Sequence, residues 1–592
     1  MRSASTPRWV RPSARWILPA PEVGAIDNLR HAFQLQYLPA AVLTKRGLGD
    51  LAHAREFLFP ELTALHDPFL LRDMCKAVER LQRAIRAREK VLLYGDYDVD
   101  GTASIVVLKK AIEILGGIAD FHVPHRLKDG YGMRCEVIER AAQTGVGLII
   151  SVDTGIRAGA VVALARELGV DMIVTDHHLP EAELPAAVAV LNPNRPDCSY
   201  PNKHLCGAGV TFKLVQALLL RSGLPENRQS ALLDSFLKPV AIATVADIVP
   251  LIDENRVLVR RGLSGLRNVR NIGLRALLSV AGFEDGECPT AHQVAFRIAP
   301  RINAAGRMAS ARDVVEVFLT EDAARAQELA EQLDALNRER QQTESEIVEA
   351  ILNQCEDSAF DFDAHAMVFT GPGWHLGVLG IVASRLVERF SRPVFVLSDA
   401  AAENSSEQAR LSGSGRSIPG FHLLQALETM PELFQKFGGH RQAAGLTLSA
   451  DQLDAFRARF TAHANECLSE DDIRPSFEVD AEASFPELTN LCVEQIMSLG
   501  PFGFGNPAPI FCSRQCEVAG PAKALKNGKH FNVPLRQNGR LLFCKAWNFA
   551  DRADSFIPGV KLDVLFQLED DAIGRKRGYG SWSVSLKDVR PS

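Results

Sequence analysis

No run of apolar residues approaches the ~18 needed to cross a bilayer, so the chain offers no evident membrane-spanning helix. It also lacks net positive charge, with 66 Lys and Arg against 72 Asp and Glu, a formal charge of -6. That excludes coating of nucleic acid through overall charge and leaves any such contact to local patches. The eleven Cys lack paired metal-ligand spacing, Cys198/Cys206 and Cys512/Cys516 coming nearest. Neither a zinc site nor a disulfide framework is expected; reduced thiols in a cytoplasmic protein are. Arg2, Arg8, Arg11 and Arg15 lie among Ser and Pro at the start, but the prolines argue against a transit peptide. The missing apolar stretch excludes a secretory signal, so a flexible or docking arm is expected. Internal repeats and low-complexity tracts are absent too.

What is present is ordinary globular usage, 46% hydrophobic and 23% charged over 592 residues, too long for one core and suited to roughly three to five units. Between residues 90 and 192, short aliphatic runs at 91–94, 147–152, 172–175 and 188–191 read as strands covered on both faces. Helical patterns over 103–115 and 158–168 separate them, giving an α/β unit with a mainly parallel sheet. Residues 321–354 predict a helix of about 30 residues, roughly 45 Å long, partly solvated over the polar stretch 337–346 where it bridges two domains. A helical hairpin turning near Asn337 is the alternative. A second α/β pattern spans 366–464. Beyond 474, strand-like stretches at 543–547 and 562–566, with turns at Lys526-Asn527-Gly528 and Gln537-Asn538-Gly539, predict a small β-barrel.

Gly95-Asp96-Tyr97-Asp98-Val99-Asp100-Gly101 sets three carboxylates at alternate positions where the first strand gives way to a helix. A calcium loop has similar letters, but the distal Glu is missing and a buried strand precedes. Asp153 follows the second run and Asp176-His177-His178 the third. Ligands of open α/β sheets lie beyond the carboxyl ends of the strands, so the three segments are expected to converge. A lone buried His is most often structural; two adjacent ones after an Asp in such a crevice are harder to read that way. Carboxylates with imidazoles suit Mn²⁺ or Mg²⁺, and two such cations could activate a water and neutralise a phosphate oxygen, which is phosphodiester hydrolysis. Asp247, isolated in Ala246-Asp247-Ile248-Val249-Pro250, would be costly unless metal-bound or ion-paired.

These motifs resemble the successive signatures of the DHH phosphoesterase superfamily. Pro300-Arg301-Ile302-Asn303-Ala304-Ala305-Gly306-Arg307, Gly373-Trp374-His375, Phe437-Gly438-Gly439-His440 and Leu499-Gly500-Pro501-Phe502-Gly503-Phe504-Gly505-Asn506-Pro507 are similar to those of its RecJ branch. The resemblance covers roughly residues 40–590. It implies a metal-dependent 5′-to-3′ exonuclease that degrades single-stranded DNA to nucleotides in recombination and repair. It implies an N-terminal arm and helical segment over 1–75, a DHH catalytic domain over 76–310 and a connecting long helix over 311–356. A DHHA1 substrate-binding domain over 357–466 and an OB-fold nucleic-acid-binding domain over 473–592 complete the chain. Asp96, Asp98, Asp100, Asp153, His177 and Asp247 become ligands of a two-metal Mn²⁺ or Mg²⁺ site. Asp98, Asp100, Asp153, Asp176, His177 and His178 form the catalytic set, Asp176 orienting the His pair and His178 meeting the scissile phosphate. Ser414, Arg416, Arg126 and Arg307 are candidates for the 5′-terminal phosphate, and Arg301, Asn303, His375 and His440 join them as substrate contacts. Implied partners are single-stranded DNA, a single-strand-binding protein and a helicase, with no membrane.

By themselves, Ser412-Gly413-Ser414-Gly415-Arg416-Ser417 and Phe437-Gly438-Gly439-His440 let backbone amides approach an anion beside a hydroxyl or basic group, although a surface turn has the same letters. Lys523, Lys526, Lys529 and His530 adjoin Phe531, and Arg575-Lys576-Arg577 precede Tyr579 and Trp582, as strand-tracking requires. Chemistry and grip would then be separable by a cut near Ile473. Two rivals stand beside this reading. One is a phosphodiesterase for short oligonucleotides or cyclic dinucleotides, which needs no long C-terminal module. The other is an inactive scaffold, which needs no such concentration of acids.

Overall fold

The computed structural model describes residues 13–126, 129–130, 132–356, 361–399, 410–525, 528–571, 574–575 and 580–592. Two compact units emerge. One comprises Leu18–Asp334 with Glu478–Ser592, the other Ala335–Phe477 with the N-terminal residues up to Ile17.

The first unit is built on a parallel sheet of β1 (Lys90–Gly95), β2 (Ile118–His122), β3 (Val146–Val152), β4 (Asp171–Thr175) and β5 (Ala189–Leu191), in the order β2-β1-β3-β4-β5. Strands β3 to β5 are buried along most of their length, as the aliphatic runs require. The sheet has one strand more than the runs predict. Edge strand β2 alternates exposed and buried residues, so it lacks a continuous apolar signature. Helix α1 (Val99–Ile114) follows β1 and packs on α2 (Gly207–Leu220) and α3 (Glu226–Ala246). Helices α4 (Asp253–Gly265) and α5 (Ala299–Met308) follow. Buried between α2 and α4, Lys213 Nζ meets Glu254 Oε1 at 2.9 Å, and Tyr200 donates to Glu254 Oε2 at 2.6 Å, an ion pair satisfied within the core.

α6 (Ala323–Gln354) is one continuous helix of 32 residues, so no hairpin forms at Asn337. The unit boundary falls inside it. Its polar stretch is partly solvated, as expected: Arg338, Glu339, Gln341, Gln342, Ser345 and Glu346 are exposed, while Asn337, Arg340 and Glu344 are buried. Arg340 donates to Asn337 Oδ1 and Glu344 Oε2, each at 2.8 Å, and Arg385 pairs with Glu344. Polar letters in a helix report solvation only when no partner lies across from them.

In the second unit, β6 (Met367–Gly371), β7 (Val394–Ser398), β8 (Arg410–Arg416), β9 (Phe434–Gly439) and β10 (Ala443–Ser449) form a sheet of order β9-β10-β8-β7-β6, parallel only between β6 and β7, which α7 (Leu376–Phe390) connects. Arg15 lies in a short strand, Arg15–Ile17, paired with Ser476–Glu478; the rest of the arginine-bearing arm lies outside the described residues.

The C-terminal part of the first unit has β11 (Ala481–Glu482), β12 (Phe511–Val518), β13 (Lys523–Ala524), β14 (Phe531–Gln537), β15 (Arg540–Ala546), β16 (Lys561–Asp570) and β17 (Trp582–Pro591). Order β12-β16-β17-β15-β14, with β14 returning to β12, closes a five-stranded barrel of the OB type. Asn538 and Gly539, both at positive φ, form the two-residue turn between β14 and β15. Lys526 and Asn527 of the other expected turn lie outside the described residues. The barrel's core runs on into that of the N-terminal helices. Leu29, Leu38, Leu43 and Ala54 of the N-terminal helices share one buried cluster with Phe485, Phe511, Val564 and Phe566.

Candidate metal centre

Beyond Gly95 the chain turns into α1 through Asp98, whose carboxylate accepts from Asp100 N at 2.9 Å and Gly101 N at 3.0 Å. This is ordinary N-capping, which a helix wants from Asp whether or not a metal binds. Asp96 accepts from its neighbour Tyr97 N at 2.8 Å. Asp100, 1% exposed, accepts from Gly207 N at 2.6 Å and Ala208 N at 2.7 Å. Those are the first amides of α2, where unpaired N–H groups favour an anion, and each oxygen keeps a second lone pair.

Asp153 and Asp176 continue the ladder past β3 and β4, Asp153 N donating to Thr175 O at 2.9 Å and Asp176 N to Leu191 O at 3.0 Å. The sheet therefore seats both acids. Asp153 has φ of 59°, a left-handed conformation that costs a non-Gly residue ~1–3 kcal/mol and persists where surroundings impose it. A Cβ on Gly207 would come within 2.6 Å of Asp153 Cβ, so only glycine lets α2 approach so closely. Asp176 accepts from His177 N at 2.8 Å, His178 N at 3.1 Å, His178 Nδ1 at 2.7 Å and Ile156 N at 2.9 Å. Asp247 closes α3.

These segments meet at His177. Its Nε2 lies 3.2 Å from Asp153 Oδ1, 3.7 Å from Asp247 Oδ2 and 3.9 Å from Asp100 Oδ2. Asp96, Asp98 and Asp153 form a second group, and Asp153, His177 and His178 a third, the ligand atoms of each group lying within 4.8 Å of one another. Asp153 Oδ1, His177 Nε2 and Asp247 Oδ2 are buried and make no hydrogen bond. Buried polar atoms are nearly always satisfied, so three orphans on one point fit a cation.

The electrostatics agree. Burial, then Asp100 and the other carboxylates nearby, pushes Asp153 and Asp247 well above the usual range. Burial and Asp98 raise Asp96 to about 7 and Asp100 to about 6. Burial lowers His177 to about 4, leaving the neutral imidazole that ligates metals. Burial also pulls His178 down, but its bond to Asp176 outweighs this and leaves it raised. A divalent cation would reverse the penalty on the carboxylates. Binding to the folded chain alone, Mn²⁺ at a hundred times its Kd is expected to add ~2.7 kcal/mol of stability. Calorimetry of the chelator-treated protein checks this, and an unchanged melting temperature on adding Mn²⁺ would count against the site.

Asn192 and Asn194 are residues of the site that sequence reasoning missed. Their amides donate to His178 O at 2.8 Å and His177 O at 2.6 Å, holding the His pair from behind. The only signal was their place in Leu191-Asn192-Pro193-Asn194, directly after a strand run.

The expected substrate residues divide. Arg126 lies over the Tyr97 ring, 5.0 Å from its centroid, and the charges of Arg126 and Arg307 both act on Tyr97, next to Asp96. Asn303 Oδ1 accepts from Val99 N at 3.2 Å, securing the start of α1. Arg301 donates to Asp334 Oδ1 at 2.9 Å and to the Arg297 carbonyl. In the second unit, Arg416 donates to Ser414 Oγ at 3.0 Å and packs against α7 at Gly380. His375 caps the same helix with its Nδ1 buried and unpaired, and His440 N donates to Ala443 O at 2.8 Å in the β9–β10 turn. On the barrel, Phe543 is 63% and Trp547 42% exposed, with His530 edge-on to Trp547. Trp582 donates to Asn490. Lys526, Lys576, Arg577 and Tyr579 lie outside the described residues.

Residues 90–244 match the DHH family, N-terminal domain, residues 363–466 the DHHA1 domain, and residues 479–580 the RecJ OB domain. The chain is 36% identical over 554 residues to the single-stranded-DNA-specific exonuclease RecJ of Bacillus subtilis (strain 168), covering 94% of this chain and 68% of that one. The crystal structure of RecJ from Thermus thermophilus in complex with Mn²⁺ matches with a TM-score of 0.81 at 30% identity, over 98% of this chain and 80% of that chain. Its Mg²⁺ complex matches with a TM-score of 0.76 at 28% identity, over 98% and 79%.

Proposed function

This chain belongs to the RecJ family of DHH phosphoesterases, and on that premise we propose that it is a metal-dependent exonuclease of single-stranded DNA, acting 5′-to-3′ in recombination and repair. The observation that carries the reading is the convergence of three buried, unbonded ligand atoms, Asp153 Oδ1, His177 Nε2 and Asp247 Oδ2.

Asp96, Asp98, Asp100, Asp153, His177 and Asp247 would hold two divalent cations, Mn²⁺ or Mg²⁺. Bound there, the cations supply a water of lowered pKa and charge to neutralise the scissile phosphate. The α2 amides hold Asp100 in place, and the left-handed turn aims Asp153 at His177. Asp176 fixes the His178 ring through Nδ1 and raises its pKa, so that a partly cationic imidazole can meet a phosphate oxygen. Digestion of a uniform single strand labelled at either end, with and without Mn²⁺, tests activity and polarity together. Early release of the 5′ label, only with metal, is expected; early release of the 3′ label would reverse the polarity.

Ser414 and Arg416 are proposed to hold the 5′-terminal phosphate. Arg416→Ala is expected to weaken use of 5′-phosphorylated ends relative to 5′-hydroxyl ends by ~1.5–3 kcal/mol, the worth of a hydrogen bond to a charged group. Equal loss on both ends would leave this segment as strand β8 with a purely structural role. Phe543 is proposed as a base-stacking surface of the barrel, so Phe543→Ala should cost ~1–3 kcal/mol of affinity for a long strand. Unchanged binding by fluorescence anisotropy would refute that role. A single-strand-binding protein and a helicase are proposed as partners, to be tested by co-purification. No helix among the described residues is long and apolar enough to cross a membrane, and eleven free thiols suit the cytoplasm.

A further inference from the structure

We infer that residues 500–507, which lead into the barrel, form a positioning brace for Asp247, so that the barrel's lead-in sets the grip of the metal centre. The inference rests on the reading of Asp247 as a metal ligand. Asp247 stands at the end of α3, its N donating to Ala243 O at 2.9 Å. Next to it, Ile248 is held at φ of 59° although β-branched and 68% exposed, a conformation such a residue adopts only when its flanks are pinned. One flank is the helix. The other is Leu251, 2% exposed, whose N donates to Phe504 O at 2.7 Å.

The lead-in is shaped for that contact. A Cβ on Gly503 would come within 2.7 Å of Leu251 Cδ1, and one on Gly505, at φ of +74°, within 2.8 Å of Pro250 Cβ. Gly505 is the one that lets the two backbones close on each other, since a Cβ there would also lie 3.0 Å from Pro250 Cα, whereas Gly503 faces the Leu251 side chain. Asn506, 1% exposed, donates to Leu499 O at 3.0 Å and Pro501 O at 2.9 Å and accepts from Arg46, stiffening the segment from within. Arg256 donates to Gly500 O at 2.9 Å, and Asn255 to Pro250 O at 3.0 Å, tying α4 to both sides. The aromatic ring of Phe504 takes no part: it is 59% exposed, and only its carbonyl meets Leu251.

The test is Mn²⁺ binding to the full chain, followed by electron paramagnetic resonance of the free ion, beside thermal melting. Gly505→Ala is expected to raise the Mn²⁺ Kd at least fivefold while the protein still melts cooperatively, and Phe504→Ala to leave it within twofold. Should Gly505→Ala not fold, Asn506→Ala removes three side-chain hydrogen bonds that hold the lead-in without adding bulk, and the same rise is expected. Folded lead-in variants with Mn²⁺ affinity within twofold of the parent, alongside an Asp247→Asn that binds Mn²⁺ weakly, would overturn the brace alone. An Asp247→Asn with unchanged affinity would overturn the reading of the site and the brace with it.

Discussion

Asp153→Ala is expected to lower turnover on single-stranded DNA by ~10³-fold or more, while strand affinity stays within about tenfold. Asp153 takes part in two of the three groups of candidate ligands, and its Oδ1, at 3.2 Å, lies nearer His177 Nε2 than the oxygens of Asp247 and Asp100 do. A metal centre supplies several kcal/mol of transition-state charge stabilisation, and ~4 kcal/mol is about a thousandfold in rate. Binding should survive because the proposed strand contacts, Phe543 and Trp547 on the barrel and Arg416 in the second unit, are separate residues. Removing an acid whose pKa burial and its neighbours push up also relieves repulsion, so the metal-free variant is expected to melt no lower than the parent. A folded variant that kept a tenth of parental turnover would remove Asp153 from the centre.

Truncation after Ile473 is expected to abolish a soluble, active enzyme rather than leave a weak-gripping one. Chain order alone suggested separable chemistry and grip, since every proposed ligand precedes Leu251. The fold says otherwise. Leu29, Leu38, Leu43 and Ala54 lie in one buried cluster with Phe485, Phe511, Val564 and Phe566. Uncovering each large side chain costs ~1.5–3 kcal/mol, against a typical folding margin of ~5–15 kcal/mol. The cut also removes Phe504 O from Leu251 N and Gly500 O from Arg256. The measurement is the soluble yield and melting of the fragment, with its turnover on a short oligonucleotide. A soluble fragment that melts cooperatively and cleaves that oligonucleotide at the parental rate would restore separability.

The parallel sheet and the acids at its strand ends were legible because both are local signals: aliphatic runs, then a carboxylate one or two residues on. Edge strand Ile118–His122 was not, because an edge needs no continuous apolar run. Asp98 was legible for two reasons at once, since helix capping and metal binding ask for the same residue. Arg301 was read as a substrate contact from its motif; the structure adds an ion pair with Asp334, and nothing near Arg301 announces a partner 33 residues away.

By itself the sequence determined the order of the buried strands and the carboxylate and imidazole set at their ends, since periodicity and short spacing write those in neighbouring residues. Only the tertiary structure decided which ligand atoms face one another unbonded, that Asn337, Arg340 and Glu344 of the long helix are buried in a network while their polar neighbours stay exposed, and that the C-terminal barrel shares its core with the N-terminal helices. Each of those depends on segments far apart in the chain, and burial is a property of whatever packs across from a residue rather than of the residues beside it.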